Sequence, residues 1–194
     1  MNELDARFWD ERYRAHQTGW DIGTVSTPLK TYIDQLTDKH VRICIPGCGN
    51  AYEAAYLVEN RFTNITLIDI SPVVVEQVQQ QFTGQEAVLK VICADFFNYQ
   101  DTFDLILEQT FFCALDPSLR LNYVQHMHQL LRPGGKLVGV MFNRNFEGGP
   151  PFGGSISEYQ QLFEPLFDIQ TLEPCYNSIP PRKDSEVFVQ FIRR

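Results

Sequence analysis

Two glycines and an acid carry the first chemical signal in this chain. The run Val41–Pro46 is apolar, the chain turns through Gly47 and Gly49, and a helical pattern starts at once; twenty residues after Gly49, a second apolar run reaches Asp69. Glycines at a strand-to-helix turn let the backbone approach a ligand with no Cβ in the way, and an acid at the tip of the next strand can accept both hydroxyls of a ribose. Together they describe a nucleoside cofactor site. A Gly-x-Gly turn by itself also serves strands that need only a positive φ or close packing, so the elements around it must decide.

Those elements follow in a fixed order. After Asp69 come a third apolar run ending in Cys93-Ala94-Asp95-Phe96, a fourth from Phe103 to Thr110, a helical segment ending at Leu131, and then RPGGKLVGVMF. The patterns predict strands over 41–46, 64–69, 88–93, 103–109 and 135–142, joined by helices near 51–61, 72–82 and 117–131. The strands are near-continuous apolar runs, as expected when helices cover both faces of a parallel sheet. Upstream, residues 2–16 read as a helix with Leu4, Phe8 and Tyr13 along one side, and Thr27-Pro28 read as the N-cap and first residue of another. Residues 143–154, NRNFEGGPPFGG, are too rich in Gly and Pro for an element and read as a loop that lines or covers a site. Ser155 or Ser157 starts a helix reaching about Leu166, and two strands close the chain.

Composition narrows the partners. With 44% apolar residues in 194, the chain can bury a sizeable core as one domain. The formal charge of −8 leaves no broad basic surface for a phosphate backbone, so nucleic acid is not expected as a partner. Five cysteines make an odd count; Cys44, Cys93 and Cys113 lie in or beside apolar runs and read as small buried hydrophobes in a reducing compartment. Cys44 and Cys48 are four apart but straddle a strand end and a glycine turn, with no further His or Cys partner at zinc-ligand spacing; the first residues lack an apolar leader, and no run approaches membrane-spanning length. The expectation is a cytoplasmic protein, with no metal and no membrane contact.

Strand and helix alternation, with a Pro-Gly-Gly turn before the fifth strand, is the layout of the Rossmann-like S-adenosylmethionine methyltransferases. Within them the chain resembles the thiopurine S-methyltransferase superfamily, closest in pattern to the plant-type halide/thiol methyltransferases and their microbial relatives. The pieces that carry the resemblance are FWDERY, GWDIGTVSTPL, IPGCGN, LIDISP, CADFF, FDLILEQTFFCAL, LLRPGGKL, GGPPF and IPPRK, from about Phe8 to Asp184. FFCAL and GGPPF are more specific to the superfamily than the generic turn.

The resemblance implies an α/β fold of class I methyltransferase type: a mostly parallel seven-stranded sheet, helices on both faces, an antiparallel C-terminal strand, and residues 1–38 as a helical cofactor cover on a single domain. It implies S-adenosylmethionine as cofactor, leaving as S-adenosylhomocysteine. Trp9, Tyr13 and Trp20 match the aromatic segment that closes over the cofactor, where aromatic faces attract a sulfonium by roughly 0.5–2 kcal/mol each. Trp9 and Tyr13, four apart on an amphipathic helix, also read simply as its inner face. Gly47 matches the contact to the amino-acid portion, Asp69 the ribose ligand, and Asp95-Phe96 the adenine contacts. Two departures stand out. Asn50-Ala51 and Glu53 replace the usual glycine and aspartate after the turn, and Gln109, after Glu108, stands where thiopurine enzymes carry arginine and plant enzymes tyrosine.

That position faces the methyl-transfer centre, so Gln109 is counted with both the catalytic and the cofactor-binding residues. Arg182 in IPPRK is the second catalytic candidate, as a cation for an electron-rich acceptor; as a basic turn beside Lys183 it would only be solvated. Thr110, Phe112 and Phe152 complete the acceptor side. His16 lies beside the cover, while His126 and His128 read as surface residues of a crossover helix. The acceptor implied is a small soft nucleophile: a thiol, a thiopurine, a halide, or a selenium or tellurium species. Such nucleophiles need positioning and exclusion of water rather than a catalytic base. Two other readings share the turn and acid: an NAD-dependent oxidoreductase, against which Tyr52 stands where a third glycine is expected, and a binding protein without activity. A monomer or weak homodimer is expected.

Overall fold

The computed structural model describes residues 4–194. Seven strands form one sheet in the order β3-β2-β1-β4-β5-β7-β6. They are β1 (Ile43–Pro46), β2 (Ile65–Asp69), β3 (Leu89–Cys93), β4 (Phe103–Gln109), β5 (Leu131–Phe142), β6 (Phe167–Pro174) and β7 (Glu186–Arg193). β1 pairs in parallel with β2 and β4, β2 with β3, and β4 with β5, while β7 runs antiparallel to both β5 and β6. The mostly parallel sheet with its antiparallel C-terminal strand is thus as expected. Strand order reverses between β1 and β4, which opens a crevice at their carboxyl ends.

Among the described residues six α-helices accompany the sheet: α1 (Ala6–Arg14), α2 (Thr27–Ile33), α3 (Tyr52–Glu59), α4 (Pro72–Gln81), α5 (Arg120–Leu130) and α6 (Ile156–Phe163). Local chemistry sets their starts. Asp5 accepts from the Phe8 amide at 2.9 Å, Ser71 caps α4 ahead of Pro72, and Ser155 accepts from the Glu158 amide as in a capping box. The expected first residues of the N-terminal helix, 2 and 3, lie outside the described residues. The cap of α2 is Ser26 rather than Thr27: Ser26 has the extended backbone of a cap, and its amide donates to the buried Glu53 carboxylate at 3.1 Å, which fixes the chain one residue earlier.

Alternation along the strands divides the core. Leu105 and Leu107 of β4 join Leu29, Ile45, Leu57 and Val74 on the side of α2–α4, whereas Ile106 joins Tyr123, Met127, Phe163 and Phe191 under α5 and α6. β5 begins at Leu131, four residues before the sequence pattern placed it, because Phe103 pairs with Leu131 and Leu105 with Lys136, leaving the Pro-Gly-Gly segment as an irregularity inside the strand.

Three expectations need correction. Cys93 is exposed, since it ends an edge strand that alternates instead of being covered on both faces. His126 is buried, its ring packed edge-on at 4.7 Å from Phe96, because that side of α5 faces the turn after β3 as well as the sheet; His128 is half-buried against Phe167. The 143–154 loop lines neither of the cavities described next. It packs on the turn after β4, with the Phe152 amide donating to the Cys113 carbonyl at 2.7 Å.

Candidate active site

A cavity of about 720 Å³ opens at the carboxyl ends of β1, β2 and β4. Trp9, Tyr13, Gly47, Asp69, Asp95 and Phe96 all line it. A second cavity, of about 60 Å³, adjoins it on the α3 side and is lined by Trp20, Asp21, Gly49, Glu53 and Gln109. Gly47 and Thr110 belong to the walls of both, so the cavities meet between the β1 turn and the end of β4.

The β1 turn explains its glycines. Gly47 has φ +57°, and a Cβ there would lie 2.4 Å from the Phe111 ring; Gly49 has φ +50° and faces the Tyr13 hydroxyl. Ala51 takes the same left-handed conformation at φ 57°, which is how the chain turns into α3 without the family's usual glycine. Asp69 braces this turn: one oxygen accepts from the Gly49 amide at 3.1 Å and the other from the Ser71 amide at 2.9 Å. Burial raises its pKa and these amides oppose the rise. Each oxygen keeps a lone pair for a ligand hydroxyl.

Asp95 accepts from the Phe97 amide and the Asn98 side chain, both at 3.0 Å, and so caps a short 3-10 turn that carries Phe96. Phe96 packs edge-on with Phe97 and Phe111. The aromatic segment forms the facing wall: Trp20 stands edge-on to Trp9 at 5.5 Å and to Tyr13 at 5.7 Å. Burial, with Asp69 nearby, pushes the Tyr13 phenol up.

Strand parity places Gln109 with Leu105 and Leu107, on the α3 side, so it lines the small cavity and not the large one. Arg182 lines neither. Its guanidinium donates to the Trp20 carbonyl at 2.8 Å, pairs with Glu186 at 3.4 Å, and lies 5.6 Å from the centre of the Phe142 ring. It ties the β6–β7 connection to the cover loop. Phe112 points into the α5–α6 core, and exposed His16, at the end of α1, lines neither cavity.

Sequence reading missed Asp10, Asp21 and Glu108. Asp10 on α1 accepts from the Ser71 hydroxyl at 2.5 Å and the Val73 amide at 3.3 Å. Asp21 accepts from Gly23, Asn50 and Tyr52, which fastens the cover loop to the β1 turn. An acid inside the apolar run of β4 was the available signal for Glu108.

The described lining of both cavities contains Asp5, Asp21, Glu53, Asp69, Asp95 and Asp116 and no Lys, Arg or His. Such walls favour a cationic ligand and oppose one carrying a pyrophosphate. With φ-permissive glycines, a ribose-spaced acid and an aromatic wall, they fit S-adenosylmethionine, whose sulfonium is a cation that aromatic faces attract.

Comparison with known proteins agrees. Residues 4–192 match the thiopurine S-methyltransferase family. A probable thiol methyltransferase 2 of Arabidopsis thaliana is 31% identical over 192 residues, covering 96% of this chain and 84% of that protein. A thiopurine S-methyltransferase of Pseudomonas fluorescens is 26% identical, covering 88% and 87%. Among solved structures, a didemethyltoxoflavin N1-methyltransferase of Burkholderia thailandensis with bound S-adenosylhomocysteine has a TM-score of 0.77 at 14% identity, covering 97% of this chain and 86% of that one. A TehB-like methyltransferase of Corynebacterium glutamicum has a TM-score of 0.68 at 17% identity, covering 97% and 98%. The chain belongs to the thiopurine S-methyltransferase family and is an S-adenosylmethionine-dependent methyltransferase.

Proposed function

We propose that the chain methylates a small soft nucleophile, a thiol or a chemically similar acceptor, at the junction where Gly47 and Thr110 wall both cavities. The observation that carries this reading is that shared junction, lined in part by aromatic rings and, among the described residues, charged only by carboxylates. When bound, the cofactor supplies a methyl group on a good leaving group. The protein's part is to hold and to shield. Asp69 would take the ribose hydroxyls, Asp95 and Phe96 the adenine, and the backbone at Gly47 the amino-acid portion. Trp9, Tyr13 and Trp20, within residues 1–38 acting as the cover, would exclude water from the transfer. Arg182 acts through the Trp20 carbonyl by keeping the cover loop in place, and Gln109 offers a hydrogen bond but no charge at the small cavity.

Known relatives support the acceptor class, for they include a thiocyanate methyltransferase 1 of Arabidopsis thaliana beside the thiol and thiopurine enzymes. We also place the protein in the cytoplasm, as a single domain acting on small molecules without nucleic acid, as a monomer or weak homodimer. All five cysteines are free, and no helix among the described residues is long and apolar enough to cross a membrane. The test is methyl transfer from labelled S-adenosylmethionine across thiols, thiopurines, halides, thiocyanate and selenium or tellurium oxyanions. Turnover of sulfur acceptors is expected, and transfer to none of the panel would overturn the reading.

A further inference from the structure

Strand β4 puts a carboxylate where alternation calls for an apolar side chain. Glu108 follows Ile106 onto the α5–α6 face of the sheet and is completely buried. It forms no ion pair among the described residues. Instead its Oε1 accepts from the amides of Phe111 at 2.8 Å and Phe112 at 2.9 Å, and its Oε2 accepts from the Tyr123 hydroxyl at 2.6 Å. An ionised carboxylate accepts all three; a protonated one must itself donate, which weakens the set and turns the Tyr123 bond round.

The segment held this way is the junction of the two cavities. Thr110 has φ 61°, a left-handed conformation that a β-branched residue keeps only where its surroundings over-determine it. Phe111 lies against Gly47, so the position of the β4 turn sets that of the β1 turn. Tyr123 in turn packs on Phe96, Phe111 and Phe112, reaching the wall where adenine would lie. Around the carboxylate, the titratable groups are Tyr123 of α5, Cys113 of the turn, Tyr159 of α6 and Glu186 of β7, with Arg182 and Arg120 farther out on the Phe142 and Phe112 rings.

We propose that Glu108 is a positioning residue that presents Thr110 and Phe111 to the cofactor through these three hydrogen bonds, and that cofactor binding weakens when its carboxylate takes up a proton. This rests on the reading of the large cavity as the cofactor site. Burial pushes the Glu108 pKa up to about 7 while its three donors pull it down, so the change falls in an accessible pH range.

The test is calorimetric titration of S-adenosylhomocysteine between about pH 6 and pH 8, where a single coupled proton changes affinity by roughly tenfold. Wild-type affinity is expected to fall over that range on acidification; in Glu108→Gln, which cannot titrate, it should be weaker at pH 8 and lose most of its pH dependence. Tyr123→Phe removes a donor that favours the carboxylate and should move the midpoint to higher pH, while His126→Gln should keep the wild-type profile. In the ligand-free protein, the Phe111 and Phe112 amide proton chemical shifts, which report the bonds to the Glu108 Oε1, should titrate with the same midpoint. That shift titration, run on wild type and on Tyr123→Phe, decides the matter if Glu108→Gln fails to fold, and it reads the clamp independently of ligand. A profile identical in wild type and Glu108→Gln, a Tyr123→Phe midpoint that stays put, or Phe111 and Phe112 amide shifts that ignore pH would overturn the proposal.

Discussion

Across the crevice, the turn after β4 hangs from a completely buried carboxylate and packs on the core, while α1 opposite it buries none of its side chains completely. The segment from α1 to Asp21 is held by Tyr13, partly buried against the core, and by polar links: Asp10 to Ser71 and Val73, Asp21 to Asn50 and Tyr52, and Arg182 to the Trp20 carbonyl. Each such link has a charged partner and contributes about 1.5–3 kcal/mol, but water can replace it, whereas uprooting a packed turn costs core burial as well. On the proposed reading of α1 and the loop after it as a cover, one wall would be the fixed reference on which the other closes.

Gly47→Ala attacks the fixed wall most severely. The new methyl group would meet the Phe111 ring, and the left-handed backbone alone costs about 1–3 kcal/mol. Denaturant unfolding should show that loss, and calorimetry a fall in S-adenosylhomocysteine affinity of more than about a hundredfold; near-normal affinity would mean that the ligand does not use this turn.

Asp69→Ala comes next. Losing charge-assisted bonds to a ribose, each worth about 1.5–3 kcal/mol, should weaken cofactor binding by tens of fold and leave turnover at saturation much less affected, because such contacts are alike in ground and transition states. If affinity is unchanged in a folded variant, Asp69 serves only to brace Gly49 and Ser71.

On the movable wall, Trp20→Ala should lower cofactor affinity and turnover together by about tenfold, with little change in stability. A folded variant with full rate and affinity would reduce Trp20 to a packing partner of Trp9 and Tyr13.

A smaller effect separates the walls by pH. The folded-state pKa of Glu108, about 7, lies above its ordinary value of 4.5, so its protonation favours the fold. That contribution is complete below about pH 4.5 and disappears as pH rises through about 7. The wild-type Tm minus that of Glu108→Gln should therefore fall between those values, since Asp69, Glu53 and Glu186 remain in both proteins. A constant difference would contradict the shift.

The contrast between the walls also explains what could be read from the sequence. The glycine turn, the strand ending on Asp69 and the succession of strands and helices were legible because positive φ and buried parallel strands restrict residue choice locally, at Gly47 and Gly49 or along Ile65–Asp69. The roles of Glu108 and Arg182 were not: beside the nearby Phe111 and Phe112 amides, Glu108 is held by Tyr123, and Arg182 by the Trp20 carbonyl, partners distant in sequence and invisible to any periodicity. Cys93 and His126 misled for a related reason: an apolar neighbourhood does not reveal an edge strand, and a polar ring can be buried against an aromatic one. Gln109 was placed on the correct strand end, but only the alternation of β4 assigns it to the smaller cavity.

Amide hydrogen exchange along the whole chain, with and without S-adenosylhomocysteine, tests most directly whether a cover closes on a fixed wall. Residues 5–25 should gain the most protection on binding, residues 108–115 should already be protected and change little, and NAD should leave both unaltered. Protection gained chiefly at 108–115 with the N-terminal segment unaffected, or an equal response to NAD, would contradict the account.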